Sequence, residues 1–124
     1  MSLSVSVISK KHGEDVSDLE KEINPEYENG LFGFESCRKT LWGHPVMQSL
    51  NCGMIFSLRT AIIFAYDDDV LQLKAELIKI ADNIDQVSKE TGNAVWEVKF
   101  RVDNALAAIE VVEKNLDRAG ILIG

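Results

Sequence analysis

The two ends of the chain show the hydrophobic pattern of strands. In residues 3–8, Leu3, Val5 and Val7 alternate with polar or smaller neighbours and would share one face of an extended segment. A period of two with β-branched residues is typical of a strand with one buried face. Residues 121–124 form a short apolar run, and we predict that they form a last strand beside the first.

A second alternating pattern lies in the middle of the chain, in residues 54–66. The residues from Met54 to Tyr66 at every second position are almost all apolar, whereas the opposite face includes Ser57 and Arg59. Because the two faces differ, the pattern predicts one or two half-buried strands rather than a fully buried one. We expect a break near Arg59 and Thr60.

The strongest periodic signal predicts two helices, over residues 69–90 and 94–118. Apolar residues recur there at alternating spacings of three and four, as on the buried face of an amphipathic helix. The first series is Val70, Leu73, Leu77, Ile80, Ile84 and Val87, and the second is Val95, Val98, Val102, Ala105, Ile109, Val112 and Leu116. Since only a few residues link the two helices, they are predicted to fold back as an antiparallel hairpin.

Capping residues define the expected ends of this hairpin. Three consecutive aspartates at positions 67–69 would begin the first helix, and Asn93 would begin the second. Gly92 and Gly120 would end them.

The apolar face of each helix is wider than one seam between two helices requires. The hairpin should therefore also pack on the small sheet, which gives an α+β fold with residues 1–124 in a single domain. We expect Trp42 and Trp96 in the core, although tryptophan is also suited to anchor a partner wherever it is exposed. The hairpin positions that a partner would contact are Leu71, Ile78, Phe100 and Val111.

Two short helices are predicted near residues 37–42 and 45–52. Ser36 would cap the first, and Pro45 fits the first position of the second because that position needs no backbone N–H donor. Gly53 would end the second helix. Gly30 and Gly33 form an isolated Gly-x-x-Gly pattern, which indicates tight turns rather than a phosphate-binding loop.

Residues 13–30 are dense in acidic side chains, with room for one short surface helix before Pro25. We predict that this segment contacts a partner protein. The acids are Glu14, Asp15, Asp18, Glu20, Glu22, Glu26 and Glu28, and we add Trp42 to the predicted partner-binding set.

The overall charge narrows the classes of partner. The 124 residues carry a formal net charge of −7, which disfavours a nucleic-acid partner and favours a basic protein. The longest unbroken apolar run, residues 61–66, is far shorter than the ~20 residues of a membrane-spanning helix. With two cysteines and no recognisable secretion signal, we expect a cytoplasmic protein without membrane attachment.

The candidate catalytic residues are Cys37 and His44. Cys37 would lie at a helix start beside Arg38, an environment that favours a thiolate, and His44 could act as its base. Structural roles for both residues are the favoured interpretation, because the spacing matches no cysteine-hydrolase signature. A Cys37–Cys52 disulfide is the less favoured alternative to free thiols in a reducing compartment.

We expect neither a metal nor another cofactor. His12, Cys37, His44 and Cys52 lack the close paired spacing of structural zinc ligands. The aspartates at 67–69 point in different directions along the chain and suit a helix cap better than a Ca²⁺ or Mg²⁺ site.

The sequence therefore favours a small acidic protein-interaction module without catalytic activity. Bacterial immunity proteins and antitoxins, which use acidic surfaces against basic nucleases, are examples of this class on composition and size alone. Two alternatives remain open at this point: a thiol-dependent enzyme using Cys37 with His44, and a structural homo-oligomer, such as a homodimer, assembled through the helical hairpin.

Overall fold

The computed structural model describes residues 2–27 and 30–124, and its strands form an antiparallel sheet. Within this part of the chain the strands are β1 (Ser2–Ser9), β2 (Leu31–Phe34), β3 (Ile63–Ala65) and β4 (Ala119–Ile123). Their order across the sheet is β2-β1-β4-β3. The α+β fold predicted from the sequence is confirmed.

The predicted pairing of the two chain ends is confirmed. β1 and β4 run antiparallel, with Val5 opposite Ile123 and Ser9 opposite Ala119. Leu3, Val5 and Val7 are buried, as their alternation with serine requires. β3 adds to the free edge of β4, with Phe64 opposite Leu122.

The strand β2 was not predicted, because its four residues include a glycine and show no alternation. It pairs with the start of β1, where the register shifts between Leu3 and Ser4. The tight-turn interpretation is wrong for Gly33, which lies inside the strand with φ +123°. A Cβ at this position would lie 3.0 Å from Cys37 Sγ, so the close approach requires glycine.

The strand prediction for residues 54–66 is wrong except at β3. The chain instead forms the short helix α3 (Gly53–Phe56) and a 3₁₀ turn (Ser57–Arg59). The buried residues are Cys52, Ile55 and Leu58, at a spacing of three rather than two. The local alternation was overridden by tertiary contacts, since the α3 N–H groups bond to a carboxyl from the next helix.

The helical hairpin is present, with its first arm broken in two. The arm consists of α4 (Asp68–Asp82) and α5 (Ile84–Thr91), and the second arm is α6 (Val95–Glu113), which packs against both. An ion pair of 2.9 Å between Lys74 and Glu113 joins the middle of α4 to the end of α6.

Several predicted helix ends are wrong, and at two of them a side-chain amide bonds to a helix carbonyl. Asn83 donates to Lys79 O at the break between α4 and α5, and Asn115 donates to Val111 O beyond α6. Ala94, not Asn93, precedes α6, and Gly120 lies within β4. Gly92 ends α5 in the left-handed conformation, as predicted.

The remaining helical segments are short. They are α1 (Ser17–Glu20), a 3₁₀ turn (Pro25–Tyr27), a π-helical turn (Arg38–Trp42) and α2 (Pro45–Ser49). The two short helices predicted here are therefore confirmed in position, and Pro45 is the first residue of α2. Gly53 begins α3 instead of ending α2, and Cys37 rather than Ser36 precedes the π-helical turn.

One cluster of buried residues joins the sheet to the hairpin and to residues 37–58. Trp42 lies fully inside it, stacked on Phe32 with ring centroids 4.1 Å apart. Val111 is also buried, so the prediction that a partner contacts it is wrong. Trp96 lies outside the core, contrary to the prediction.

Candidate functional site

An exposed aromatic surface lies at the start of α6. Trp96 is 69% exposed and Phe100 is 36% exposed. Because they are four residues apart on a helix, their side chains are neighbours on its outer surface. Tyr27, from the preceding 3₁₀ turn, lines the same recess. We call Tyr27, Trp96 and Phe100 the α6 aromatic face.

The α6 aromatic face lies at one end of a groove between α6 and the segment that precedes β2. At this end the recess has a volume of about 380 Å³, with Glu26, Lys99 and Asp103 beside the aromatic rings. The groove continues past Asn24 towards the C-terminal end of α6.

Acidic side chains dominate the border of this groove. Glu22, Glu26, Asp103 and Glu110 line it, together with two lysines. The lysines are paired with acids of α6: Lys99 Nζ lies 2.7 Å from Asp103 Oδ2, a contact that raises the pKa of Lys99.

Two acids of the border remain available. The second lysine, Lys114, lies 3.9 Å from Glu110, so Glu110 already has a cationic partner. Glu22 and Glu26 form no ion pair within the described part of the chain and are exposed. They are therefore free to bind a cation.

Elsewhere on α6, a buried arginine contacts β2 and the turn that follows it. Arg101 donates a hydrogen bond to Cys37 Sγ at 3.5 Å, and its guanidinium lies 5.9 Å from the ring centroid of Phe34. Glu97 Oε2 is 3.8 Å from the same guanidinium. One turn further along, Asn104 donates to Leu31 O at 2.8 Å. Sequence reasoning missed Arg101 and Asn104, because buried polar residues give no periodic signal.

The geometry does not join Cys37 to His44. Cys37 is 4% exposed, and its described hydrogen bond comes from Arg101. His44 Nδ1 accepts a hydrogen bond from Val46 N at 3.0 Å and so caps α2. His44 therefore has no described contact with the Cys37 thiol, which a catalytic base would have to deprotonate.

The second cysteine is also structural. Cys37 and Cys52 are both free and buried, so the alternative of a disulfide is wrong. The Cys52 thiol donates to Glu76 O at 3.6 Å, and burial raises the pKa of this thiol to about 11. Such a thiol is protonated at neutral pH and is a weak nucleophile.

The predicted acidic partner surface is divided by contacts within the chain. Arg118 bonds to Glu14 at 3.2 Å and to Asp18 at 2.8 Å, and the hydrogen bond from Arg118 lowers the pKa of Asp18. Asp15 accepts from Ser17 N at 2.9 Å, which lowers its pKa. Glu20 is exposed without an ion pair among the described residues.

Two other members of the predicted partner-binding set need separate comment. Glu28 lies outside the described residues. Trp42 has no exposed surface, so its assignment as a partner contact is wrong. The indole Nε1 instead donates to Phe32 O at 2.9 Å within the core.

Of the three aspartates at positions 67–69, Asp67 precedes α4 and the other two lie in its first turn. Asp67 bonds to Lys10 at 2.6 Å, with φ +53°, and it makes no side-chain cap to α4. Among residues 2–27 and 30–124, no group of three His, Cys, Asp or Glu side chains is placed to hold a metal ion.

Comparisons with protein-family models, with curated proteins and with solved structures gave no significant match. Of the helices in the described ranges, none is both long enough and apolar enough to cross a bilayer.

Proposed function

We propose that this protein is a small acidic interaction module, without catalytic activity, that binds an arginine-containing basic segment of a partner protein. The binding surface is the α6 aromatic face with the acids of the adjoining groove. The observation that carries the proposal is the exposure of Trp96, at 69%, beside Phe100 and Glu26.

The aromatic residues supply the binding energy. A tryptophan side chain buries roughly 150–250 Å² when it is covered, and tryptophan, tyrosine and arginine are the residues most enriched at the centres of protein interfaces. On α6, Trp96 and Phe100 leave much of this area in water, whereas Trp42 is fully covered. A partner that covers Trp96 would recover the unused area.

The charge selects the kind of partner. An arginine guanidinium can stack on an indole or phenol ring and at the same time bond to a carboxylate. Glu26 provides a free carboxylate beside Tyr27 and Trp96, and Glu22 provides another at the opposite end of the groove. The net charge of −7 would also accelerate the approach of a basic protein.

An immunity- or antitoxin-type inhibitor of a basic nuclease would use a surface of this chemistry. The proposal includes no catalytic step, because the described contacts of Cys37 and His44 serve the fold. The hairpin offers less to the alternative of a structural oligomer, since most of its apolar stripes are buried, with Leu71 and Ile78 exposed at 44% and 41%.

The test is a fluorescence anisotropy titration of labelled nona-arginine peptide with the full chain, at low and high salt. We expect the dissociation constant to rise about tenfold or more in Trp96→Ala, which is the size of a hot-spot loss. Glu26→Gln should weaken binding by a smaller factor. Nona-lysine should bind less tightly, because an ammonium does not stack as a guanidinium does.

The matched control is Phe64→Ala, which removes an aromatic side chain that is 59% exposed on the sheet, outside the α6 aromatic face. Its affinity for nona-arginine should equal that of the unaltered chain. The proposal fails if Trp96→Ala binds the peptide as the unaltered chain does, or if Phe64→Ala loses as much affinity.

A further inference from the structure

The recess at the α6 aromatic face already contains a cation of the chain itself. Four residues of α6 line this recess, at spacings of three and four. They are Trp96, Lys99, Phe100 and Asp103. Residues at these spacings lie on one face of a helix, so the Lys99 side chain projects beside the two aromatic rings that the proposed partner would cover.

The Lys99 ammonium binds a carboxylate of the same recess. Of the described side chains that line the recess, two are carboxylates, Glu26 and Asp103. Lys99 Nζ donates to Asp103 Oδ2 at 2.7 Å, and this hydrogen bond raises the pKa of Lys99, so the ammonium stays charged at neutral pH. Asp103 is therefore occupied, whereas Glu26 is not.

The ion pair between Lys99 and Asp103 contributes little to the fold. The Lys99 side chain is 66% exposed, and exposed ion pairs four residues apart on a helix stabilise it only weakly. The order of the two residues, with the lysine first, is the less favourable one. Buried residues such as Val98, Val102 and Ile109 hold α6 in place instead. The Lys99 charge can therefore change without loss of the structure.

We infer that Lys99 is an internal competitor of the partner's arginine and limits the affinity of the recess for it. The inference rests on the proposed function, because it concerns the same aromatic rings and the same ligand. A guanidinium stacked on Trp96 would meet the Lys99 ammonium, and like charges at short range repel. It could bond to Asp103 only by displacing Lys99.

The loss of the Lys99 charge should therefore strengthen binding. Two carboxylates and one ammonium leave the described lining of the recess with one net negative charge, and without the ammonium this becomes two. Both carboxylates would then be open to the five N–H donors of a guanidinium. Exposed ion pairs correspond to at most about a fivefold change in an equilibrium constant, which sets the size of the expected gain.

The experiment is the anisotropy titration of labelled nona-arginine with the Lys99→Gln chain. We expect the dissociation constant at low salt to fall about two- to fivefold relative to the unaltered chain. The gain should shrink at high salt, because exposed charges are screened. The double variant with Lys99→Gln and Asp103→Asn has the net charge of the unaltered chain and should lose the gain, since the freed carboxylate is then absent.

The control is Lys79→Gln, at an exposed position of α4 outside the groove. Lys79 has no ion pair with the residues that the structure describes. This substitution changes the net charge as Lys99→Gln does, so it measures the general effect of charge and should give the smaller gain. Equal gains in the two variants, or a gain that persists when Asp103 is also replaced, would overturn the inference.

The same titrations separate this inference from the proposed function. If binding depends on Trp96 but Lys99→Gln gains nothing over Lys79→Gln, the role of Lys99 is wrong and the proposed function stands. If Trp96→Ala binds nona-arginine as the unaltered chain does, the proposed function is wrong and the role of Lys99 falls with it.

Discussion

The two tryptophans of this chain lie in opposite environments. The Trp42 ring is stacked on Phe32 with an interplanar angle of 9°, and its N–H donates to Phe32 O. Trp96 is mostly exposed at the start of α6. The comparison teaches that a tryptophan with both its ring covered and its N–H bonded stabilises the fold, whereas one with its ring in water is available for binding.

The largest effect on stability should come from truncating Trp42, and the same truncation at Trp96 provides the comparison. Trp42→Ala removes a fully buried ring and should reduce the free energy of unfolding by about 3–5 kcal/mol. Trp96→Ala should change it by less than about 0.5 kcal/mol, as is usual for exposed sites. Urea denaturation followed by circular dichroism measures both. Equal losses in the two variants would remove the distinction between the two regions.

The next largest loss of stability should come from Glu76, whose carboxyl is buried in the same core as Trp42. Glu76 is 4% exposed and accepts hydrogen bonds from Ile55 N at 2.9 Å and Met54 N at 3.2 Å, at the start of α3. Glu76→Ala leaves these donors without their partner and should cost about 2–3 kcal/mol of unfolding free energy. Thermal or urea unfolding should show this loss.

The control for Glu76 is Glu90→Ala, which removes an exposed acid of α5 and should change stability by less than about 0.5 kcal/mol. If Glu76→Ala were as stable as Glu90→Ala, the hydrogen bonds that Glu76 accepts at the start of α3 would not stabilise the fold.

The smallest effect concerns the exposed contacts of Arg118. The Arg118 hydrogen bond lowers the pKa of Asp18 below its usual 3.8. The Asp18–Arg118 ion pair therefore stabilises the folded protein fully above pH 3.8. It is lost as the pH falls through the lower pKa of the folded protein. Hydrogen exchange of the Leu19 amide, which bonds to Val16 O in α1, should therefore accelerate in acid beyond the intrinsic pH effect.

Arg118→Ala is the control for this pH dependence. In that variant the Leu19 amide should already be less protected at neutral pH, and the additional acid effect should be absent. The same acid effect in both chains would contradict the role of this ion pair.

The sequence predicted the elements whose patterns repeat over many residues. The alternation of Leu3, Val5 and Val7 is enough to define β1, and the spacing of three and four defines the hairpin. Short segments were not predictable in the same way, because residues 53–59 are held helical by Glu76 from α4. The break at Asn83 likewise depends on one amide that bonds to Lys79 O.

The candidate site was predicted in parts that the fold brings together. Phe100 was identified as a position that a partner would contact, and Glu22 and Glu26 were placed in an acidic binding segment. No sequence pattern shows that this segment lies against the start of α6. The roles of Trp42 and Trp96 could not be separated either, since exposure depends on which long-range contacts cover each ring.

The most direct test of the proposed binding surface is a nuclear magnetic resonance titration of the isotope-labelled chain with nona-arginine. The account predicts the largest shifts at the Trp96 indole N–H and at the amides of Tyr27, Phe100 and Asp103. The Trp42 indole N–H, hydrogen-bonded inside the core, should not shift. Largest shifts at Asp15 and Asp18, or on β3, with the Trp96 indole unchanged, would contradict it.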